Sequence, residues 1–374
     1  MKILLLSCNT GAGHNSAASA VMKRLTECGH ECEMTDGLAF FSKTVSAIVS
    51  ASHILLYRKF PRLFGSVYRH NEKGTLRSVY NTVRPGASSL NKKIVEGGFD
   101  AIVCTHLFAA MIATEFRRRY NRYDIKLYFI VTDYTDYPGI EQIESDAIFT
   151  PHALLKDDFA KRGVSGDILV PTGIPISEQF FEKVDKLEAR QILSLPEKAN
   201  TLLISSGSMG AGPVAKLVSY IVPELSHDDQ LVVICGTNKR LEKKMKRSAK
   251  GLSNVLVVGY THQIHLYMSA SDLFLSKPGG LSSTEAFRQH LPFIAIDIVP
   301  GCETRNIEFF KRCSLVESTP DLKELADLAM DRLHDSEYLE KASNRIKELF
   351  PGNSTKEICD HIIADNNKKV TENK

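Results

Sequence analysis

Short apolar runs alternate with amphipathic stretches along the first half of the chain. The runs are ILLLSC (3–8), AIVCT (101–105) and KLYFIVT (126–132), and helical patterns separate them over residues 17–27 and up to Arg119. Strands that alternate with helices in this way are typical of a parallel sheet packed against helices. The first half therefore predicts an α/β domain.

The same alternation restarts after residue 200. Its apolar runs, each followed by a helical stretch, are TLLISS (201–206), LVVICG (231–236), NVLVVG (254–259), DLFLS (272–276) and PFIAID (292–297). Between the two halves, residues 168–201 contain four glycine and proline positions that suit a linker with a short helix inside: Pro171, Gly173, Pro175 and Pro196. A second α/β domain is therefore expected after the linker.

These patterns predict two Rossmann-like domains with a boundary near residue 175. The predicted ranges are 1–175 for the N-terminal domain, 176–350 for the C-terminal domain, and 351–374 for a C-terminal helix with a polar tail. The tail, DNNKKVTENK, is strongly polar and is expected to fray.

The composition restricts the class of protein. The chain has 374 residues, of which 43% are hydrophobic and 24% charged, as in ordinary globular proteins of two or three domains. A net charge of +3 is too small to predict nucleic-acid binding. The eight cysteines contain no CxxC pair, which favours a reduced, cytoplasmic compartment. Neither MKILLLSC nor the uncharged stretch 44–57 is long enough to predict a signal peptide or a membrane span.

A glycine-rich turn follows the first strand of each half. The turns are NTGAGH (9–14) and SGSMGAG (206–212), and ligands of open α/β sheets bind at the carboxyl ends of the strands. The first turn lacks the third glycine of the dinucleotide fingerprint, although Asp36 lies near the distance of a ribose-binding acid. Neither turn continues into the GK[ST] of a P-loop.

A third glycine-rich turn lies in SKPGGLSSTEAFRQHLPF (276–293), where the strand DLFLS ends at KPGG and a helix follows at once. Ser282 and Glu285 have the spacing of a capping box, so the glycines are not needed to begin this helix. Glycine lets the backbone approach a ligand closely, and the start of a helix offers N–H groups to an anion. The turn therefore predicts a phosphate site.

Five motifs, taken together, resemble one family. They are GAGHNSAA (11–18), VTDY (131–134), PTGIPIS (171–177), KPGGLSSTEA (277–286) and PGCETRN (300–306). In this order, over nearly the whole chain, they resemble the GT-B glycosyltransferases of the monogalactosyldiacylglycerol synthase and processive diacylglycerol β-glucosyltransferase family, which is similar to glycosyltransferase family 28. The resemblance implies an α/β GT-B fold, in which two Rossmann-like domains face each other across a cleft. The first domain would bind the acceptor and the membrane, and the second would bind a UDP-sugar.

The resemblance also implies a donor site. Glu285 would bind the ribose, and Ser208, Gly279 and Gly280 would line the diphosphate. Tyr260 and Thr261 would lie at the uracil. The sugar would meet Cys302, Glu303 and Asn306, and the remaining donor-site residues would be Gly13, Gly207, Lys277 and Thr284.

Each assignment has a plainer alternative that the sequence leaves open. Glu285 would complete a capping box, Tyr260 would pack in the core, and the glycines would only form turns. Glu303 and Asn306 would cap a helix over residues 304–312.

His14 is the candidate catalytic base. An acceptor hydroxyl must lose its proton as it attacks, and an imidazole with a pKa of about 6.5 can take it. Asp133, at a strand end, is the rival base, and a histidine that only orders the turn is the plainer alternative. The chain has no DxD motif to hold a metal on the diphosphate, so we expect no metal and no cofactor, with the helix start at KPGG meeting the diphosphate instead.

A basic segment over residues 58–93 suggests a membrane contact. Its single acid is Glu72, and its cations are Arg58, Lys59, Arg62, Arg69, Lys73, Arg77, Arg84, Lys92 and Lys93. Interleaved apolar residues such as Phe60 and Phe64 suit a segment that lies on an anionic bilayer, and a solvated helix face is the plainer alternative. The triplet 117–119, Arg-Arg-Arg, would either add to this surface or form a polar helix end.

The expected function is inverting transfer of a hexose from a UDP-sugar to diacylglycerol, by a cytoplasmic enzyme that lies peripherally on the inner face of the cell membrane. The hexose, glucose or galactose, is open because Cys302 replaces the Gln that the family often has. The acceptor is open because Tyr134, Tyr137 and Pro138 stand where these enzymes commonly carry His or Trp. The alternatives are another lipid or soluble acceptor, a nucleotide-sugar-binding regulator without turnover, and an NAD-dependent oxidoreductase.

Overall fold

The protein folds into two compact units, each with its own parallel sheet. The computed structural model describes residues 1–8, 12–40, 84–182, 184–205, 207–296 and 301–372. The first unit is formed by Met1–Glu178, Pro300–Cys302 and Gly352–Lys374, and the second by Gln179–Val299 and Glu303–Pro351.

The N-terminal sheet has the strand order β2-β1-β3-β4-β5-β6. Its strands are β1 Lys2–Ser7, β2 Glu31–Asp36, β3 Ala101–Cys104, β4 Lys126–Ile130, β5 Ala147–Thr150 and β6 Leu169–Pro171. The predicted strands β1, β3 and β4 are confirmed. The apolar pattern did not reveal β2, because this strand lies at the sheet edge and its sequence, ECEMTD, has no buried residue.

The C-terminal sheet has the strand order β12-β11-β10-β7-β8-β9. Its strands are β7 Asn200–Ser205, β8 Asp229–Ile234, β9 Val255–Val258, β10 Leu273–Ser276, β11 Phe293–Ala295 and β12 Val316–Glu317. All five predicted strands are confirmed, and the two-residue edge strand β12 was not predicted.

Most of the described α-helices lie between two strands, and the last three follow β12 in succession. They are α1 Ala12–Glu27, α2 Gly86–Gly97, α3 Leu107–Tyr120, α4 Lys156–Lys161, α5 Lys186–Ile192, α6 Val214–Ile221, α7 Lys239–Ser248, α8 Ile264–Ala270, α9 Gly280–Arg288, α10 Cys302–Arg312, α11 Leu322–Leu333, α12 Ser336–Leu349 and α13 Ser354–Glu372. The short helix expected within the linker is α5. Among the described residues, no helix is long and apolar enough to cross a bilayer.

The last helix belongs to the core of the N-terminal unit. Ile358, Cys359 and Ile362 of α13 are fully buried in one cluster with side chains of α1, β1 and β3. The Tyr128 hydroxyl donates to the Asp365 carboxylate at 2.8 Å. The prediction of a frayed tail from residue 365 is wrong as far as Glu372, because helix α13 continues to that residue.

Both sheets contain a point where the strand order reverses. In the first sheet β1 lies between β2 and β3, and in the second β7 lies between β8 and β10. Ligands of open α/β sheets bind at the carboxyl ends of the strands beside such a switch point. The residues that follow β1 and β3, and those that follow β7 and β10, are therefore the first places to look for a site.

Candidate functional site

His14 lies in the first turn of α1, at the switch point of the N-terminal sheet. Its Nδ1 atom is 2.8 Å from the carbonyl oxygen of Thr105 and 2.9 Å from Oγ1 of Thr132. A carbonyl oxygen only accepts hydrogen bonds, so Nδ1 carries the proton and Nε2 holds the free lone pair. The imidazole can therefore act as a base through Nε2.

The surroundings of His14 keep its ring neutral. Burial lowers the pKa of His14 below its usual value, against smaller opposing effects of the Asp133 carboxylate and the Thr105 carbonyl. The ring of His106 lies edge-on to it, with 4.7 Å between centroids. The sequence did not reveal the roles of Thr105 and Thr132, although each is the last residue of a predicted strand run.

Asp133, the rival base, accepts a hydrogen bond from the Tyr137 hydroxyl at 2.9 Å. Burial, and then the Asp133 charge, raise the pKa of Tyr137 well above its usual value, so the phenol stays protonated and keeps donating. Tyr134 is only 1% exposed and belongs to the core. Of the two tyrosines in this stretch, only Tyr137 is placed to act with Asp133.

In the C-terminal unit, the loops that follow β7 and β8 are held together. The backbone N–H of Thr237 donates to the Ser208 carbonyl at 2.8 Å, and the Asn238 amide donates to the Gly210 carbonyl at 2.7 Å. Gly210 has a φ of +55°, and a Cβ at this position would collide with the Cys235 carbonyl oxygen. At least this glycine is therefore required by the loop itself, independently of any ligand.

The KPGG turn follows β10, which pairs with β7 in the sheet. Helix α9 begins at Gly280, and its N-cap is Gly279, with no side-chain cap. An added Cβ at Gly279 would meet no atom of the described residues within 4 Å. The backbone at this helix start therefore borders open space, as a phosphate site requires.

Two neighbouring donor-site candidates are buried. Lys277 is 7% exposed, and the Thr284 hydroxyl donates to the Gly280 carbonyl at 2.8 Å. The Thr284 side chain thus supports the helix start.

Glu285 does not cap its helix. The predicted capping box is wrong, because α9 begins at Gly280 and both Ser282 and Glu285 lie inside it. Within the described residues the Glu285 carboxyl has no hydrogen-bond or ion-pair partner, and burial raises its pKa to about 8. A half-buried carboxyl group of this kind is available to a ligand.

Tyr260 is not a core residue. Its side chain is 54% exposed, on the turn between β9 and α8, and its ring lies edge-on to His262 at 5.0 Å. Thr261 Oγ1 accepts from the backbone N–H of Gln263 at 3.0 Å, which stabilises the turn. The core-packing alternative for Tyr260 is therefore wrong.

Helix α10 begins at Cys302, two residues before the predicted start, and Glu303 lies in its first turn. Asn306 is 0% exposed, and its amide donates to the Pro278 carbonyl at 2.9 Å. This conformation leaves Asn306 no surface for the predicted contact with a sugar. Asn306 instead ties α10 to the KPGG turn.

Comparison with known proteins shows the class of enzyme. The family model described as monogalactosyldiacylglycerol (MGDG) synthase matches residues 14–176, and the one described as glycosyl transferases group 1 matches residues 185–349. A curated relative from Staphylococcus carnosus, a processive diacylglycerol beta-glucosyltransferase, is 26% identical over 365 residues, which cover 97% of this chain and 92% of that protein. The chain is a glycosyltransferase whose N-terminal half is similar to MGDG synthases.

Solved structures confirm the predicted fold class. MurG from Acinetobacter baumannii superposes with a TM-score of 0.67 at 14% identity, over 97% of this chain and 99% of that chain. HepE from Anabaena, in complex with UDP-glucose, superposes with a TM-score of 0.57 at 13% identity, over 98% of this chain and 100% of that chain. At such low identity these structures inform the fold, which is GT-B.

These comparisons set aside the dehydrogenase alternative for this glycosyltransferase. Its Asp36 carboxylate accepts from the backbone N–H of Leu38 at 3.0 Å, which stabilises the turn after β2. In the part of the chain that the structure describes, no group of three or more His, Cys, Asp or Glu side chains is arranged to hold a metal ion.

The basic segment of this glycosyltransferase falls mostly outside the described residues. The cations Arg58, Lys59, Arg62, Arg69, Lys73 and Arg77 lie in that part, so their predicted membrane contact stays a prediction. The described cations at its end are ion-paired, Arg84 with Glu115, Lys92 with Glu96 and Lys93 with Glu33.

The arginine triplet at the end of α3 is paired within the N-terminal unit. Arg117 donates to the Asp146 carboxylate at 3.0 Å, and Arg118 and Arg119 form ion pairs with Glu144 and Glu115. Arg117 is also buried. These residues form a polar helix end, which was the plainer of the two alternatives for the triplet.

Proposed function

We propose that the protein transfers glucose from UDP-glucose to diacylglycerol with inversion, and so makes a β-linked membrane glycolipid. The observation that carries this proposal is the chemistry at the two switch points. One offers the unprotonated Nε2 of His14, and the other offers an uncapped helix start at Gly279. The similarity to MGDG synthases and the activity of the Staphylococcus relative support diacylglycerol and glucose as the two reactants.

In this proposal the C-terminal unit binds the donor. Backbone N–H groups of Gly279 and Gly280, with Gly207 and Ser208 beside them, hold the diphosphate. Glu285 accepts hydrogen bonds from the ribose hydroxyls, since its carboxyl has no other described partner.

The exposed turn of Tyr260 and Thr261 takes the uracil, and the first turn of α10, with Cys302 and Glu303, takes the sugar. Exposure of the Tyr260 ring supports the first assignment. A carboxylate at Glu303 can accept two sugar hydroxyls in a fixed geometry, which supports the second.

The transfer needs a base that takes the proton of the acceptor hydroxyl, and a group that stabilises the negative charge of the departing UDP. The acceptor hydroxyl attacks C1 of glucose, its proton passes to His14 Nε2, and the bond from C1 to the diphosphate oxygen breaks to release UDP. The α9 helix start stabilises the negative charge that grows on UDP. Asp133 orients Tyr137 and stabilises the protonated imidazole of His14 by its charge.

Activity without a divalent metal is part of the proposal. The helix start supplies positive potential at the diphosphate, which is the role a cation has in other nucleotide-sugar transferases. Turnover should therefore survive EDTA. Complete loss of turnover that magnesium restores would contradict this part.

The test of the proposed function is UDP release from UDP-glucose and UDP-galactose, with and without diacylglycerol in vesicles. We expect release that depends on diacylglycerol and is faster with UDP-glucose. Release without diacylglycerol, on addition of a soluble alcohol, would point to another acceptor. Tight UDP binding without release under any condition would instead favour a nucleotide-sugar-binding regulator.

A further inference from the structure

Helix α7 carries the densest cluster of positive charge in the described C-terminal unit. Between residues 239 and 250, KRLEKKMKRSAK, there are seven cations and one acid, in a chain whose formal net charge is only +3. The cations are exposed, whereas Leu241 and Met245 are buried and attach the helix to its unit. The donor site proposed above uses none of these residues.

The positive charge of α7 is largely unpaired. The one acid, Glu242, forms ion pairs with Lys239 and Lys246 at 3.0 and 2.8 Å. The other five cations have no hydrogen bond or ion pair among the described residues: Arg240, Lys243, Lys244, Arg247 and Lys250. Like charges this close repel one another, so the arrangement destabilises the free protein and suits an anionic partner.

The cluster also has a concave side. A groove of about 460 Å³ is lined by Lys239, Glu242, Lys243, Lys246, Arg247 and Lys250. Most of these residues recur at intervals of three and four, which places them on one face of the helix. A groove of this size, lined mainly by lysine, fits a phosphate headgroup.

We infer that α7 is a second membrane contact, which binds the phosphate headgroups of an anionic bilayer. The inference rests on the proposed lipid acceptor, which lies in a membrane. Clusters of Lys and Arg on an amphipathic helix attract anionic lipids. Nucleic acid fits the segment less well, because the segment has no aromatic side chain on which a base could stack.

The test compares two variants of the full chain with equal charge changes. The α7 variant carries Lys243→Gln, Lys244→Gln, Arg247→Gln and Lys250→Gln. The control carries Lys198→Gln, Lys216→Gln, Lys341→Gln and Lys347→Gln, four exposed cations elsewhere in the same unit. Co-sedimentation is measured with vesicles of equal parts phosphatidylglycerol and phosphatidylcholine, without diacylglycerol, and UDP calorimetry checks that both variants are folded.

We expect the α7 variant to lose about tenfold or more of its vesicle affinity, and the control to stay close to wild type, since each cation near an anionic surface contributes to binding. The difference in vesicle affinity between the wild type and the α7 variant should become smaller at high salt, because salt screens the attraction between exposed charges. Equal losses in both variants, or none in the α7 variant, would overturn the inference. The inference would also be overturned if the α7 variant lost binding to a short DNA duplex but kept its binding to vesicles. Because the vesicles contain no acceptor, failure of the proposed transferase activity would not affect this outcome.

Discussion

The carbonyl oxygen of Thr105 lies 2.8 Å from Nδ1 of His14, and this contact determines which imidazole nitrogen is free to accept a proton. Thr105 is the first residue after β3, and His14 is in the first turn after β1, so the switch point of the sheet brings the two together. The imidazole of the proposed base is thus oriented by a backbone carbonyl, with the Thr132 hydroxyl at the same nitrogen.

Replacement of His14 by alanine should lower turnover by about 10²–10⁴-fold, the range expected for loss of a general base. UDP affinity should stay unchanged, because the proposed nucleotide contacts belong to the C-terminal unit. Steady-state kinetics and UDP calorimetry measure the two effects. Retained turnover in a folded His14→Ala protein would shift the role of base to Asp133.

UDP affinity should rise with pH through the pKa of Glu285. This pKa is raised to about 8, so near neutral pH the free protein holds the group mostly protonated. Ribose hydroxyls donate best to the ionised carboxylate, so UDP binding should release a proton below about pH 8. Calorimetry in buffers of different ionisation enthalpy measures this proton.

Glu285→Gln is the matched variant for that experiment. It should bind UDP more weakly by roughly 1.5–3 kcal/mol and show no proton release, because the charged acceptor is gone. If the variant kept wild-type affinity and the same pH dependence, Glu285 would have no contact with the nucleotide.

Alanine at Gly279 should leave the fold intact and weaken UDP binding. Within the described part of the chain the added Cβ meets no atom within 4 Å, so any loss of affinity reports a ligand that approaches the backbone there. Gly210→Ala is the contrast, because its Cβ would collide with the Cys235 carbonyl and should lower the melting temperature. Equal UDP affinity in wild type and Gly279→Ala would show that the diphosphate does not bind at this turn.

Asn306→Ala should impair donor binding although the side chain cannot touch the donor. Loss of its amide leaves the Pro278 carbonyl unpaired in a buried place, at a cost of about 1–3 kcal/mol in stability. The KPGG turn should then hold the diphosphate less well, which raises KM for UDP-glucose.

Asn254→Ala is the control, since the Asn254 amide donates to the Ser226 carbonyl at 3.1 Å on the exposed surface of the same unit. Urea unfolding measures the stability of each variant, and initial rates measure its KM for UDP-glucose. An Asn306→Ala protein with the KM of wild type would show that the turn keeps its shape without the tether.

Apolar runs were sufficient to predict most of the central strands, because a buried parallel strand must be apolar on both faces. The central strand β5 was missed, although its four residues are buried. The edge strands β2 and β12 were not predicted, because a polar strand or a strand of two residues leaves no apolar run in the sequence. The helix start after Gly279 was predictable, because the KPGG motif ends a strand and a helix follows it at once. The site was not predictable where a distant contact decides a role, as Thr105 does for His14 and Pro278 does for Asn306.

Helix α13 has a consequence for the synthesis of the chain. The N-terminal unit buries Ile358, Cys359 and Ile362, which are synthesised after the whole C-terminal unit. While the C-terminal unit is being made, the surface of α1 that these side chains will cover is still open to water or to a chaperone. The N-terminal half therefore reaches its final packing only after the whole C-terminal unit has been synthesised, although it comes first in the chain.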